Sequence, residues 1–96
     1  MTHELKTWPI AFKAVMDGTK TFEVRKDDRG FACGDTLALF EYNPDTAKLT
    51  GHCAMVKVTY LVRAEAFKCY GYKMQDDLVV MSIKLLTDKE VRESLD

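Results

Sequence analysis

The residues of this chain best suited to chemistry form a run of charges that begins shortly after Gly18. Five of its charged residues are candidates for a site, and four of these five are basic: Lys20, Glu23, Arg25, Lys26 and Arg29. Successive side chains of a strand point to opposite faces, so Glu23 and Arg25 share one face and Phe22 and Val24 share the other. Cations gathered on one surface attract an anion. The run therefore predicts a site for a negatively charged ligand.

An ordinary solvated strand face explains the same pattern. We expect Phe22 and Val24 to anchor in the core in either case. On this second interpretation Glu23 and Arg25 form no more than an ion pair, side by side at the surface. Exposed pairs of this kind contribute only about 0–1 kcal/mol to stability, so stability is a weak reason for the cluster. Our expectation is instead that the strand turns its acid and its bases over a hollow beside an N-terminal helix.

The size and charge of the chain limit the kinds of protein it can be. Ninety-six residues suit one domain, residues 1–96, with a single modest core. The net charge of −1 argues against a protein that coats nucleic acid through bulk positive charge, so a local patch must hold any anionic partner. No apolar run approaches the roughly 18 residues of a membrane span, and no signal-peptide pattern is present. We expect a cytoplasmic protein with no membrane partner, and a monomer is compatible with the sequence.

The three cysteines and two histidines lack the spacing of a metal site. Cys33, Cys53 and Cys69 contain no C-x-x-C pair, and we expect reduced, mostly buried thiols and no metal or other cofactor. His52 and Cys53 are strand neighbours that face opposite ways, so they cannot readily chelate together. His3 lies near the terminus and is expected to be solvent-exposed.

Hydrophobic periodicity and turn residues predict one early helix and five strands. The helix runs from Thr7-Trp8-Pro9 to Met16, with Gly18 as its C-terminal cap. The strands are expected at 2–6, 19–25, 36–42, 52–62 and 78–85, with a hairpin loop at 43–50 and irregular loops at 26–35 and 63–77. Residues 87–96 have the capping-box spacing of Thr87 and Glu90, and form a short helix or a frayed tail.

The predicted strands indicate the fold. Several are apolar on both faces, which is typical of a sheet that curls over itself. In the long strand, four residues are expected on one face: Val56, Val58, Tyr60 and Val62. The predicted fold is α+β and mainly β: a small, partly closed β-barrel of about five strands with the helix packed beside it.

A series of short motifs resembles the ASCH superfamily, whose domains are relatives of the PUA domain. The motifs cover nearly the whole chain and are His3-x-Leu5-Lys6, Trp8-Pro9, Gly18-x-Lys20-Thr21-x-Glu23-x-Arg25, Asp28-Arg29 and Gly34-Asp35. A small bacterial and phage branch is the most similar. The resemblance implies a PUA-like β-barrel with a cleft between helix and barrel, and a role in binding RNA or a nucleotide-like ligand. The residues it places at the cleft are Lys6, Lys20, Glu23, Arg25, Lys26 and Arg29.

Some ASCH relatives are amidohydrolases that deacetylate a modified cytidine with a lysine, a threonine and a distant glutamate. Lys20 matches that lysine, but the threonine position aligns with Glu23 instead of Thr21. A carboxylate can act as a general base or align a water, so a hydrolase would use different chemistry here.

Three functions fit the sequence. The first is an RNA- or nucleotide-binding domain, in which the cleft cations contact phosphate and Trp8, Tyr70 or Tyr72 stacks a base. The second is a small hydrolase acting on a modified nucleoside or phosphodiester, with Lys20 and Glu23 as catalytic residues. The third is a protein-interaction or regulatory domain that uses the acidic tail and the loop at 67–72.

Overall fold

Five strands form one mixed sheet in the computed structural model, which describes residues 1–95. The elements in chain order are β1 (Thr2–Thr7), α1 (Pro9–Met16), β2 (Phe22–Lys26), β3 (Thr36–Asn43), β4 (Lys48–Arg63), a 3-10 helix (Ala64–Tyr70), β5 (Leu78–Leu85) and α2 (Asp88–Leu95). The sheet order is β1-β3-β4-β5-β2; β1 pairs parallel with β3, and every other neighbouring pair is antiparallel. The five predicted strands and the early helix are confirmed. However, β4 begins at Lys48, inside the expected 43–50 loop, and a 3-10 helix occupies part of the irregular loop expected at 63–77.

Helix α1 begins and ends where the sequence predicts. Pro9 occupies the first turn, where its missing N–H costs no hydrogen bond. Gly18 has a φ of 82°, and its N–H donates to the Val15 carbonyl while the Thr19 N–H donates to the Ala14 carbonyl. These two bonds form a Schellman motif, which favours glycine because a side chain is strained at positive φ. The turn sends the chain directly back toward β2.

The core lies on the concave face of the sheet, where α1 and the loop before β3 cover it. Its fully buried side chains include Phe31, Leu37, Leu39, Val56, Val79 and Met81, and α1 contributes Phe12 and Val15. Residues Leu37 to Leu39 of β3 are buried on both faces, as the sequence predicts. The fold is therefore mainly β, with a curled sheet around one core.

The two edge strands, β1 and β2, approach each other across a gap that we call the seam. Arginine side chains bridge it: Arg25 donates to the Lys6 carbonyl at 3.1 Å, and Arg29 donates to the Glu4 carbonyl. Side chains, not a backbone ladder, therefore join the edges of a partly closed barrel. This confirms the predicted architecture and puts the motif strand at the point of closure.

A β-bulge in β4 overturns the expected face of Tyr60. The register passes from Val58 opposite Ile83 to Tyr60 opposite Ser82, so Thr59 is an extra residue. The extra residue shifts the alternation by one position, which leaves Tyr60 exposed and turns Leu61 toward the core. The same shift moves Val62, which pairs with Val80, off the face expected for it.

Two predictions about buried and exposed side chains are wrong. The three cysteines are free, as expected, but they are exposed and not buried. Cys33 lies in a turn, Cys53 in the exposed first part of β4 and Cys69 in the 3-10 helix. His3 is buried and not exposed, since alternation along β1 points it into the core beside Leu5. There its Nε2 lies 2.8 Å from an Asp35 carboxylate oxygen.

The end of the described chain is helical. Helix α2 begins with the predicted capping box: the Thr87 N–H donates to the Glu90 carboxylate, and the Glu90 N–H donates to the Thr87 hydroxyl. The final residue of the predicted 87–96 tail lies outside the described residues. None of the described helices has the length and apolar character needed to span a membrane.

Candidate functional site

Strand β2 presents its charged face to the barrel interior. Its register sets Glu23 opposite Met81 and Arg25 opposite Val79, and both of those β5 residues are fully buried. Residues paired across a sheet share a face, so Glu23 and Arg25 point to the core side. The expectation that Phe22 anchors in the core is therefore wrong, and so is the same expectation for Val24: these side chains are about half exposed.

Lys20, Glu23 and Arg25 form a compact ion cluster, which we call the charge triad. Lys20 Nζ lies 2.6 Å from Glu23 Oε1, and Arg25 Nε lies 2.8 Å from Glu23 Oε2. Lys20 also donates to the Phe22 carbonyl at 2.7 Å. The Schellman turn at the end of α1 positions Lys20, and the β2 ladder positions the other two members.

The charge triad buries its acid and leaves its bases accessible. Glu23 is 3% exposed, whereas the side chains of Lys20 and Arg25 keep about a fifth to a quarter of their surface exposed. A buried carboxylate needs strong donors to replace water, and each oxygen of Glu23 has a cationic one. Two cations against one carboxylate leave the triad with a surplus positive charge.

A hollow of about 350 Å³ opens over the charge triad, and we call it the triad hollow. Its lining comes from β1, α1 and β2: Lys6, Thr7, Trp8, Ala11, Lys20, Phe22, Glu23, Val24 and Arg25. Trp8, the N-cap residue of α1, is 64% exposed at this rim. The expected arrangement, an acid and bases facing a hollow beside the N-terminal helix, is present.

A second, larger hollow of about 730 Å³ adjoins the first, and we call it the flanking hollow. It is lined by Glu4, Leu5, Lys6, Arg25, Arg29, Phe40 and Leu49. Lys6 and Arg25 line both hollows, so these two cations form the wall between them.

Of the two cations in that wall, Lys6 is the one without a carboxylate partner among the described side chains. Its ammonium lies 4.9 Å from the centroid of the Tyr42 ring, and none of the side chains that the structure describes places a carboxylate within 4 Å of it. Arg25, by contrast, already contacts Glu23, the Lys6 carbonyl and the Thr7 hydroxyl.

The two remaining predicted cations, Arg29 and Lys26, differ in position: one lines a hollow and the other does not. Arg29 lines the flanking hollow, with its Nε 3.6 Å from an Asp28 oxygen. Lys26 lines neither hollow; its side chain is largely exposed, and its Nζ lies 3.8 Å from an Asp77 carboxylate oxygen. The structure thus places the predicted cleft residues other than Lys26, together with Trp8, at the two hollows. The other two candidates for base stacking, Tyr70 and Tyr72, line neither hollow.

Sequence reasoning missed several lining residues. Thr7 is buried, and its hydroxyl accepts from Arg25 at 3.3 Å. Alternation along β1 gives the signal, since His3, Leu5 and Thr7 share its inner face. Phe40 and Leu49 carry no such signal, because their place depends on how β3 and β4 pair with β1. Among residues 1–95, no group of three or more His, Cys, Asp and Glu side chains is arranged to hold a metal ion.

The fold and site define a small, partly closed β-barrel with a charged double hollow at its seam. The sequence profile of one family, described as Domain of unknown function (DUF3850), matches residues 2–83. The chain belongs to this family. The matched range contains the charge triad, both hollows and the strands up to Ile83, and it excludes α2. No curated protein matches the chain.

Proposed function

We propose that the triad hollow binds RNA or a nucleotide-like anion. In this proposal Lys6, Lys20 and Arg25 contact phosphate oxygens, and the exposed Trp8 indole stacks on a base. The resemblance of the motif strand to the ASCH superfamily points to the same class of ligand.

The observation that carries the proposal is the unequal charge of the hollow. Glu23 takes one hydrogen bond from each triad cation, and Lys6 adds a further positive charge at the wall. A ligand phosphate would supply the missing negative charge, and the partial burial of Lys20 and Arg25 would strengthen the attraction.

The same contacts favour binding over hydrolysis. A general base must be able to reach a water or a substrate proton. Each Glu23 oxygen already accepts from a cation at 2.6–2.8 Å, and the carboxylate is almost fully buried. Glu23 is therefore suited to holding Lys20 and Arg25 in place.

Trp8 supplies a direct test, because it is the one tryptophan of the chain. Purified protein would be titrated with nucleoside monophosphates and with a short single-stranded RNA at low salt, following Trp8 fluorescence. We expect quenching that saturates, and a loss of affinity of about tenfold in Lys20→Gln, since one charged hydrogen bond is removed. Lys26→Gln is the matched control and should bind normally, because Lys26 lines neither hollow.

Replacing the indole tests the stacking contact. Trp8→Leu should lower RNA affinity by about 1–3 kcal/mol, the usual contribution of stacking for one base. Calorimetry would replace fluorescence for this variant. Absence of binding by the unaltered protein would overturn the proposal. A nucleoside product released over time, with turnover but not affinity lost in Lys20→Gln, would replace the proposal with a hydrolase.

A further inference from the structure

We infer that the minimal ligand spans both hollows: two nucleosides joined by one phosphodiester, with the phosphate at the Lys6–Arg25 wall. This inference rests on the proposed function and adds the size and layout of the ligand. It assigns one nucleoside to the triad hollow and the other to the flanking hollow.

The shared wall is the first argument. Each hollow has a volume within the roughly 300–1,000 Å³ of small-molecule sites, and Lys6 and Arg25 line both. A ligand confined to one hollow would not contact the parts of these two side chains that line the other hollow. A phosphodiester between two nucleosides places its negative charge where the cations are shared.

The pairing of the cations is the second argument. Lys20 and Arg25 are already held by Glu23, whereas Lys6 has no ion pair among the described side chains. The strongest unmet positive charge is therefore at the wall between the hollows, not deep inside either one. A phosphate at the middle of the ligand matches this position better than a phosphate at its end.

The lining of the flanking hollow is the third argument. Leu5, Phe40 and Leu49 give it apolar surface, and Leu49 is 53% exposed. Glu4 adds a carboxylate that disfavours a second phosphate nearby and accepts from a hydroxyl or amino group. These properties suit the base and sugar of a nucleoside. The triad hollow offers Trp8 for stacking at the other end.

The test compares ligands of different length by Trp8 fluorescence. We expect a dinucleoside monophosphate to bind at least tenfold more tightly than a 5′-mononucleotide, although its one charge is less than the −1.5 to −2 of a phosphate monoester. A site that recognises charge alone would rank them in the opposite order. A tetranucleotide should gain little more than the dinucleoside monophosphate.

A variant in the flanking hollow locates the second nucleoside. Leu49→Ser should lower the affinity for the dinucleoside monophosphate by about fivefold and leave the mononucleotide affinity unchanged. Tyr60→Ser is the control, since Tyr60 is exposed on the same strand and lines neither hollow.

The outcomes separate this inference from the proposed function. Equal affinity for the two ligands would overturn the inference and leave the proposed function standing. An equal loss of affinity for both ligands in Leu49→Ser would also overturn the inference and leave the proposed function standing. Failure of every nucleotide to bind would overturn both.

Discussion

Two buried carboxylates lie near opposite ends of β1, and their surroundings differ. Asp35 is 8% exposed and contacts His3 near the start of the strand. Glu23 is 3% exposed, and its partner Arg25 contacts Lys6 and Thr7 near the end of the strand. Both acids satisfy the requirement that a buried charge be hydrogen-bonded.

The partners of Asp35 are a histidine ring, a backbone N–H and the terminal amine. One carboxylate oxygen lies 2.8 Å from His3 Nε2 and accepts from the Ala32 N–H at 3.0 Å, while the other lies 3.3 Å from the terminal amine. Phe31 packs edge-on against the His3 ring with centroids 4.8 Å apart. Asp35 lines neither hollow, so this cluster holds the start of β1 against the loop before β3.

The partners of Glu23 are long, cationic and partly exposed to a hollow. The comparison shows that burial and pairing alone do not mark a functional site. What distinguishes the charge triad is that its donors carry more charge than its acid cancels, next to space that a ligand can enter. We therefore expect substitutions at Asp35 to affect stability alone, and substitutions at the triad to affect both stability and binding.

The largest effect is expected from Asp35→Ala. It leaves the buried His3 and the Ala32 N–H without their acceptor, which should lower the free energy of unfolding by about 3 kcal/mol. Urea denaturation measures the change. The control is Asp76→Ala, at an exposed turn residue; its free energy of unfolding should stay within about 0.5 kcal/mol of that of the unaltered protein. Nucleotide affinity of the folded fraction of Asp35→Ala should be unaltered; a specific loss would mean that the two ends of β1 are coupled.

Glu23→Gln should lower the free energy of unfolding by a smaller amount, about 2 kcal/mol. The glutamine keeps the shape and one acceptor, and the freed ends of Lys20 and Arg25 can turn toward water in the hollow. Glu93→Gln is the comparison, because Glu93 and Lys89 form an exposed pair at 4.0 Å that should contribute under about 1 kcal/mol. Equal losses for the two variants in urea denaturation would show that the charge triad is no more than a surface ion pair.

Acid should weaken the Asp35 cluster. Burial raises the pKa of Asp35, but the hydrogen bonds from His3, the Ala32 N–H and the terminal amine outweigh it, so the pKa lies below its ordinary value of 3.8. The folded state therefore binds this proton more weakly than the unfolded state. The stabilisation is complete above pH 3.8 and is lost as the pH falls through the folded-state pKa.

The comparison protein for this pH prediction is Asp35→Asn, which cannot lose a charge at that position. Its free energy of unfolding should fall less steeply below pH 4 than that of the unaltered protein. Parallel curves from urea denaturation at a series of pH values would assign the acid sensitivity to other carboxyl groups.

Much of the fold could be predicted because its signals are local. Pro9 and Gly18 bound α1, Thr87 and Glu90 cap α2, and alternation marks β5. Strands that are apolar on both faces also indicated a sheet that curls over itself. The predicted location of the charge triad depended on three residues within one short segment, and the structure brings them together.

The inside face of β2 could not be predicted from the same signals. Alternation defines two faces, and the usual rule assigns the apolar one to the core; here the pairing with Val79 and Met81 turns Glu23 inward. The bulge that exposes Tyr60 depends on the same kind of long-range register. The flanking hollow likewise requires β3 and β4 to bring Phe40 and Leu49 beside β1.

The smallest effect concerns the seam. Arg25→Lys keeps a cation near Glu23 but loses the fork that reaches the Lys6 carbonyl and the Thr7 hydroxyl. We expect the free energy of unfolding to fall by about 1 kcal/mol and the exchange of β1 amides to quicken about fivefold, because the edge strand loses a side-chain bridge. Arg92→Lys, an exposed change on α2, should alter neither quantity. If amide exchange quickens equally in β1 and β5, Arg25 stabilises the whole barrel. If the acceleration is confined to β1, Arg25 is the residue that closes the seam.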